Sequence, residues 1–322
     1  MRSLLSRVVI VLVLALAIGP AGQGAPPAGR ETPIDALVRH PAPARLVAFG
    51  DIHGDFGALQ RVLRLAGVTD AEDHWIGGTL WVVHTGDYLD RGDGELKIMQ
   101  LLSKLKEEAA LAGGRMIVLN ANHEIINVDW VFRFVTDRGF ASFDGMKGLG
   151  LTNPKVAAVL EHKRSRAAAF LPGGPMATRL AENPIYAIVG DTVFVHGGFS
   201  PAHVKYGIER INREMRDWML GKAEACPQVL KGSKAPVWMR DYSRVDGPAD
   251  CEMLSQTLTL LGVKRMVVGH TVQAHVNAAC DGRIWRIDTG MSAHYGGPVE
   301  ALEITSDGFR AIRERIDQQQ GE

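Results

Sequence analysis

Cysteine is scarce in this chain: three residues in 322, at positions 226, 251 and 280. That is too few for a disulfide-dense scaffold or a cluster of thiolate metal ligands. An excess of charge of either sign is also missing. Lys plus Arg and Asp plus Glu each total 36, so no overall field draws the chain to a polyanion, and nucleic acid is not an expected partner. Long apolar runs are absent as well. Val8–Ile18 spans 11 residues, well short of the roughly 20 that cross a bilayer as a helix, so stable membrane insertion is not expected. No internal repeat or coiled-coil heptad is present. The 36 Gly and 15 Pro are scattered rather than clustered, which excludes collagen and bulk disorder.

What is present begins with Arg2 and Arg7, the apolar run, and small residues through Ala25. This order is that of a secretory signal peptide over residues 1–25, so the chain is expected to be exported, periplasmic or secreted. Its removal takes away two Arg and no acid, leaving 34 basic against 36 acidic residues. Residues 26–44 read as a Pro-rich linker and 317–322 as a tail. In an oxidising compartment the three cysteines allow one disulfide. Cys226 and Cys251, which flank a Gly/Pro-rich stretch, are the expected pair, with three small buried thiols as the alternative.

Between linker and tail, short apolar runs rich in Val and Ile alternate with helix-period runs. Arg45–Phe49, Leu80–His84, Met116–Leu119, Thr192–Val195 and Arg265–Val268 have the length and composition of buried strands. Leu96, Met99, Leu102, Leu105 and Ala109 recur at helical spacing, as do Leu254, Leu258 and Leu261. The pattern predicts an α/β fold with a mostly parallel core. Arg283–Ile287, Val299–Ile304 and Phe309–Ile312 add strands that form a second sheet or extend the first. Residues 139–181 interrupt the alternation. With Lys163, Arg164 and Arg166, this insertion reads as a solvated cap, and its size makes it the place to look for a roof over the site.

Each of the five strands runs into polar residues of unusual type. In order these are Gly50-Asp51-Ile52-His53-Gly54, Gly86-Asp87-Tyr88-Leu89-Asp90-Arg91-Gly92, Asn120-Ala121-Asn122-His123-Glu124, His196-Gly197-Gly198 and Gly269-His270-Thr271. Ligands of α/β sheets gather at the carboxyl ends of strands, so these loops would bring together Asp51, His53, Asp87, Asn122, His196 and His270. Oxygen and nitrogen donors without thiolate suit first-row ions such as Mn, Fe or Zn. Six donors exceed the needs of one catalytic ion with open positions, whereas one shared carboxylate would serve two, the arrangement used for in-line phosphoryl displacement. Taken singly each motif is weak: an Asp-x-His is often a turn, and Asp90-Arg91 an ordinary surface ion pair. Five in order at strand ends are not an accident of composition.

The ordered set resembles the calcineurin-like metallophosphoesterases, in particular the phosphoprotein phosphatase branch with blocks GDxHG, GDxxDRG, GNHE, HGG and a late His. Asn122–Asn127, Phe170–Pro175, Val237–Tyr242 and Ile287–Ser292 make it most similar to the bacterial-type Shewanella-like phosphatases. The resemblance implies one catalytic domain over 45–316 with two mixed β-sheets in a sandwich flanked by helices. It implies two ions, manganese first with iron or zinc as alternatives: Asp51, His53 and Asp87 on one, Asp87, Asn122, His196 and His270 on the other. A bridging hydroxide would attack phosphorus in line. His123 would protonate the leaving group, oriented by Asp90, and Arg91 and Arg240 would hold phosphate oxygens. The implied substrate is a phosphoprotein, phosphotyrosine ahead of phosphoserine or phosphothreonine, acted on by a monomer.

The departures are specific. Ala121 stands where the common block has Gly, and activity is expected to survive the extra methyl. Val272 breaks the Gly-His-x-His ending of other metallophosphoesterases, and His275 lies at the wrong spacing to replace it. Asp90-Arg91 and His123-Glu124 differ from the Asn-Arg and His-Asp expected of symmetrical dinucleoside tetraphosphatases. That activity, or broad hydrolysis of periplasmic phosphate esters, is the alternative reading. A binding module that has lost catalysis would need damage among these residues, and none is seen.

Overall fold

The structure is a computed structural model that describes residues 38–314. Eleven strands are present among them: β1 (Arg39–His40), β2 (Arg45–Phe49), β3 (Trp81–His84), β4 (Arg115–Val118), β5 (Tyr186–Val189), β6 (Thr192–Val195), β7 (Arg265–Val268), β8 (Asn277–Ala279), β9 (Ile284–Arg286), β10 (Glu300–Thr305) and β11 (Gly308–Arg313). They form two mixed sheets, ordered β1-β5-β6-β7-β9-β8 and β11-β10-β2-β3-β4. The predicted second sheet is therefore real, but its division is not by sequence halves. β10 pairs with β2 and β11 with β10 at one edge of the amino-terminal sheet, while β8 and β9 complete the other sheet.

Alternation along each strand makes the sandwich, because successive side chains point to opposite faces. Leu46, Ala48, Val83 and Ile117 of one sheet and Ala187, Phe194 and Val267 of the other meet in an inner layer. Their neighbours Val47, Phe49, Val82, Val193, Val195 and Val268 face the helices. The outer layer includes α1 (Phe56–Leu65), whose N-cap Asp55 accepts from Ala58 N at 2.9 Å, and α2 (Glu95–Leu111), which buries Ile98, Met99, Leu102, Leu105 and Ala109. Asn122–Val128 form α3, a seven-residue helix that is buried throughout.

Residues 139–181 hold α5 (Pro154–Ala157), α6 (Arg164–Phe170) and α7 (Pro175–Leu180), preceded by α4 (Asp137–Ala141). Much of 144–164 is exposed, as a cap would be. The rest is not. Arg166 through Phe170 are buried, Arg166 completely, so a residue read as a solvated cation is an interior one. Further on, α8 (Pro201–Tyr206), α9 (Ile208–Met219) and α10 (Cys251–Leu261) pack over the second sheet's outer face.

Two expectations change. The linker ends early: Val38 is buried and β1 pairs in parallel with β5, so residues 38–40 belong to the sheet. The signal-peptide segment, residues 26–37 and residues 315–322 lie outside the described residues. The disulfide is Cys251–Cys280 rather than Cys226–Cys251, with Cα atoms 5.4 Å apart, and Cys226 is a buried free thiol. The β8–β9 hairpin carries Cys280 to the start of α10, a tertiary approach that the spacing of cysteines along the chain does not encode. Among the described residues no helix is long and apolar enough to cross a membrane.

Candidate metal centre

β2, β3 and β4 of one sheet and β6 and β7 of the other end at the same place. All six expected donors are buried there. The turns that deliver them are tight: among the described residues nine non-glycine residues have positive φ, and five of these are His53, Asp87, Asp90, Arg91 and His270. Backbone strain so concentrated marks a site whose geometry the surrounding fold over-determines. Gly86 shows how closely the loops approach, since a Cβ there would lie 2.5 Å from Ala121 Cβ. The methyl that distinguishes Ala121 from the common Gly is thus accommodated by Gly86.

Ring orientation is fixed from the backbone. A carbonyl only accepts, so the His53 Nδ1–H donates to Leu89 O (3.3 Å), the His196 Nδ1–H to Thr85 O (3.1 Å) and the His270 Nε2–H to Trp238 O (3.0 Å). The other nitrogen of each ring is thereby turned inward. Burial pushes His53 down to about 3. Burial, then His196 and Arg240, holds His270 well below the usual imidazole range. His196 Nε2 consequently faces Asn122 Oδ1 at 2.8 Å, Asp87 Oδ2 at 3.1 Å and His270 Nδ1 at 3.1 Å. Four oxygen and nitrogen atoms of ligand type so close together make a place for a cation.

A second group adjoins the first through the same carboxylate. His53 Nε2 lies 3.9 Å from both Asp51 Oδ2 and Asp87 Oδ2, and His123 Nε2 is also 3.9 Å from Asp87 Oδ2. The ligand atoms that converge most tightly are His53–Asp87–His123 and Asp87–His196–His270. Asp87 is common to both sets, and the first holds His123 where the expectation had Asp51. Asp51 stands slightly apart, taking His270 N at 3.3 Å. Burial, together with the neighbouring Asp288 and Asp87 carboxylates, pushes Asp51 well above its ordinary range, and burial raises Asp288 to about 6. Three buried carboxylates so close would be relieved by two cations, and the donor set fits the pair of first-row ions the sequence implies.

His123 and Asp90 form a buried pair, Nδ1 to Oδ2 at 2.5 Å. Burial opposes the charged ring, but Asp87 and Asp90 outweigh it and hold His123 above its usual value. Arg91 is half-buried, its guanidinium stacked between Phe134 (5.1 Å) and Tyr295 (4.9 Å). Its Nε has no acceptor among the described residues, so the cation is available to an anion. Arg240 is exposed and anchored by Nη1 to His270 O and Thr271 Oγ1 at 2.9 and 2.8 Å. The two arginines thus flank the centre.

Several residues of the site carry no motif role. The buried carboxylate of Glu124 accepts four backbone N–H groups, from Asp87, Tyr88, Leu89 and Ala121 at 2.9–3.2 Å, and so ties the β3 loop to the β4 loop. Asn127, Glu95 and Arg166 surround Asp90. Phe134 and Tyr295 contact His123 and His53, with ring centroids 5.0 and 5.6 Å apart. Only Glu124, next to His123, and Asn127, one helical turn from it, had a signal in the sequence; the others arrive from distant elements.

Fold and donor set together define a metal-dependent phosphoesterase. Residues 44–274 match the calcineurin-like phosphoesterase family, and the chain belongs to it. Among its relatives, Shewanella-like protein phosphatase 2 of Arabidopsis thaliana is 41% identical over 307 residues, covering 85% of this chain and 78% of that protein. Shewanella-like protein phosphatase 1 of Plasmodium berghei is 30% identical, covering 84% and 74%. The crystal structure of a cold-active protein-tyrosine phosphatase from a psychrophilic Shewanella superposes with a TM-score of 0.68 at 20% identity, covering 86% of this chain and 82% of that one.

Proposed function

We propose that the protein is a phosphomonoesterase acting on phosphoproteins, with phosphotyrosine preferred over phosphoserine and phosphothreonine. The observation that carries the reading is the His123–Asp90 pair, with the Arg91 guanidinium, whose Nε has no acceptor among the described residues, set beside one six-donor centre. The names of the relatives support phosphoprotein as substrate. The aromatic walls Phe134 and Tyr295 on either side of Arg91 suit an aryl phosphate.

Asp51, His53 and Asp87 would hold one ion and Asp87, Asn122, His196 and His270 the other. When bound, two such ions supply a nucleophile from water near neutral pH and neutralise phosphoryl oxygens. Arg91 and Arg240 bind the remaining phosphate oxygens and fix the ester for in-line displacement. His123, kept protonated by its two carboxylate neighbours, gives its Nε2 proton to the departing oxygen, and Asp90 holds the ring by Nδ1. Manganese leads the candidate ions, with iron or zinc as alternatives.

Export is part of the proposal. Residues 1–25 have the order of a signal peptide, and the Cys251–Cys280 disulfide is in keeping with an oxidising compartment; the mass of the mature chain tests it. For substrate, metal-replete protein is assayed on a phosphotyrosine peptide, a phosphothreonine peptide and diadenosine tetraphosphate. Fastest turnover of the first, silenced by chelation, is expected. Cleavage of the dinucleotide with none of either peptide would overturn the phosphoprotein reading.

A further inference from the structure

Arg166 is the largest fully buried charged side chain among the described residues, and it sits behind the proton donor. Its guanidinium lies between the Phe143 and Phe170 rings, 5.1 and 4.9 Å from their centroids. Every nitrogen has a partner. Nη1 donates to Glu95 Oε2 and, at 3.1 Å, to Gly139 O. Nη2 reaches Glu95 Oε1 at 3.0 Å, Asn127 Oδ1 at 2.8 Å and Asp90 Oδ1 at 3.4 Å, and Nε donates to Asn127 Oδ1 at 3.0 Å.

These bonds converge on one carboxylate. Asp90 uses Oδ2 for His123 and Oδ1 for Asn127 Nδ2 (3.0 Å) and Arg166. Its backbone N–H, in a left-handed conformation, is held by Glu95 Oε1 at 2.5 Å. Two N–H donors from Arg166 on Asn127 Oδ1 decide which way that amide faces, and so place its NH2 toward Asp90. The same guanidinium pairs Glu95, which would otherwise be an uncompensated buried charge next to Asp90.

We infer that Arg166, contributed by the insertion between β4 and β5, is a positioning residue for catalysis: through Asn127, Glu95 and Asp90 it fixes the imidazole of His123 in register with the leaving oxygen. The inference rests on His123 being the proton donor. It gives the insertion a mechanical link to the chemistry in addition to any role at the surface.

A purely structural Arg166 would, when lost, slow all substrates alike. A positioning Arg166 would matter most where the leaving group needs a proton. The test compares kcat on p-nitrophenyl phosphate, whose phenoxide leaves readily, with kcat on phenyl phosphate. Arg166→Met combined with Glu95→Gln removes one buried charge of each sign. It should cost roughly 100-fold or more on phenyl phosphate and under about 5-fold on p-nitrophenyl phosphate, the scale of general-acid assistance. Arg166→Lys should recover part of the loss. Should the double variant fail to fold, Asn127→Ala cuts the bridge to Asp90 with the charges in place and must show the same selectivity.

A second readout needs no turnover: the downfield Nδ1–H proton resonance of His123 in the zinc-loaded protein should move or vanish in these variants. Equal losses on both esters, or an unchanged resonance, overturn the inference. His123→Ala separates the two levels. If it too slows both esters equally, the proton-donor reading fails and the inference with it; if it alone is selective, only the inference fails.

Discussion

Glu124→Gln is the substitution that most directly questions how the site is held. The wild-type carboxylate takes two backbone N–H groups on each oxygen: Asp87 and Ala121 on Oε2, Tyr88 and Leu89 on Oε1. An amide of the same shape accepts on one atom only. Two N–H donors therefore lose their acceptor and meet an NH2 in a place water does not reach. Each bond to a charged group is worth about 1.5–3 kcal/mol, so the loss is on the order of 3–6 kcal/mol, much of a domain's usual margin. An opposing effect makes the experiment decisive. Burial and the Asp87 carboxylate push Glu124 up to about 8, and a protonated Glu124 would make Gln a near-neutral replacement. Four convergent donors, each of which needs a lone pair, require the ionised form, as do cations at Asp87. Urea unfolding at pH 7.5 should show the full loss, and the bound metal should fall with it. A midpoint within about 0.5 kcal/mol of wild type, with metal retained, would show that Glu124 carries a proton and that the four-bond account is wrong.

Alkylation at pH 8 should find no reactive thiol in native protein, one after unfolding without reductant and three after reduction, because Cys226 is buried and pushed up to about 12 by burial and Asp129. Three native thiols would exclude the disulfide. Replacing Cys251 and Cys280 by Ser opens a 29-residue separation, a loss of about 3.6 kcal/mol by loop entropy, measured by denaturant midpoint. Arg91→Ala should lower kcat/KM about 100-fold, mainly through KM, with metal content unchanged; an unaltered KM would remove Arg91 from phosphate binding. Glu303 is drawn below its ordinary range because Arg45 and Arg310, at 2.7 and 2.5 Å, outweigh its burial. Its contribution is complete above the unfolded value near 4.5 and is lost as pH falls through the lower folded value. The stability gap between wild type and Glu303→Gln should therefore close below pH 4.5, and a gap independent of pH would contradict the pairing.

The five strands that carry the donors were legible because each is a short Val/Ile run ending in a polar turn. Three of the five have the predicted limits, and the other two are shifted by one residue at one or both ends. That the candidate donors would share one place was legible for the same reason: each sits in a loop that directly follows its strand. Long-range approach was not. The disulfide partner is chosen by a hairpin, Tyr295 reaches Arg91 from a turn beyond β9, and Arg166 reaches Asp90 from an insertion whose preceding stretch, 144–162, is largely exposed. An arginine at the start of α6 gives no sign of burial until Glu95, its buried carboxylate partner, is placed against it. His123 also sits closer to Asp87 and His53 than its role as proton donor demands, a proximity created by the turn that begins α3.

A dinuclear centre fixes how many metal ions each chain holds. Elemental analysis of purified protein, and of protein stripped by chelator and reloaded with manganese, should give two first-row ions per chain. Asp87→Ala should hold fewer than one, and His270→Ala and Asp51→Ala about one each, while His123→Ala keeps both. One ion per chain in the wild type, two retained by Asp87→Ala, or an ion lost with His123 would contradict a dinuclear centre built around Asp87 with His123 free to move a proton.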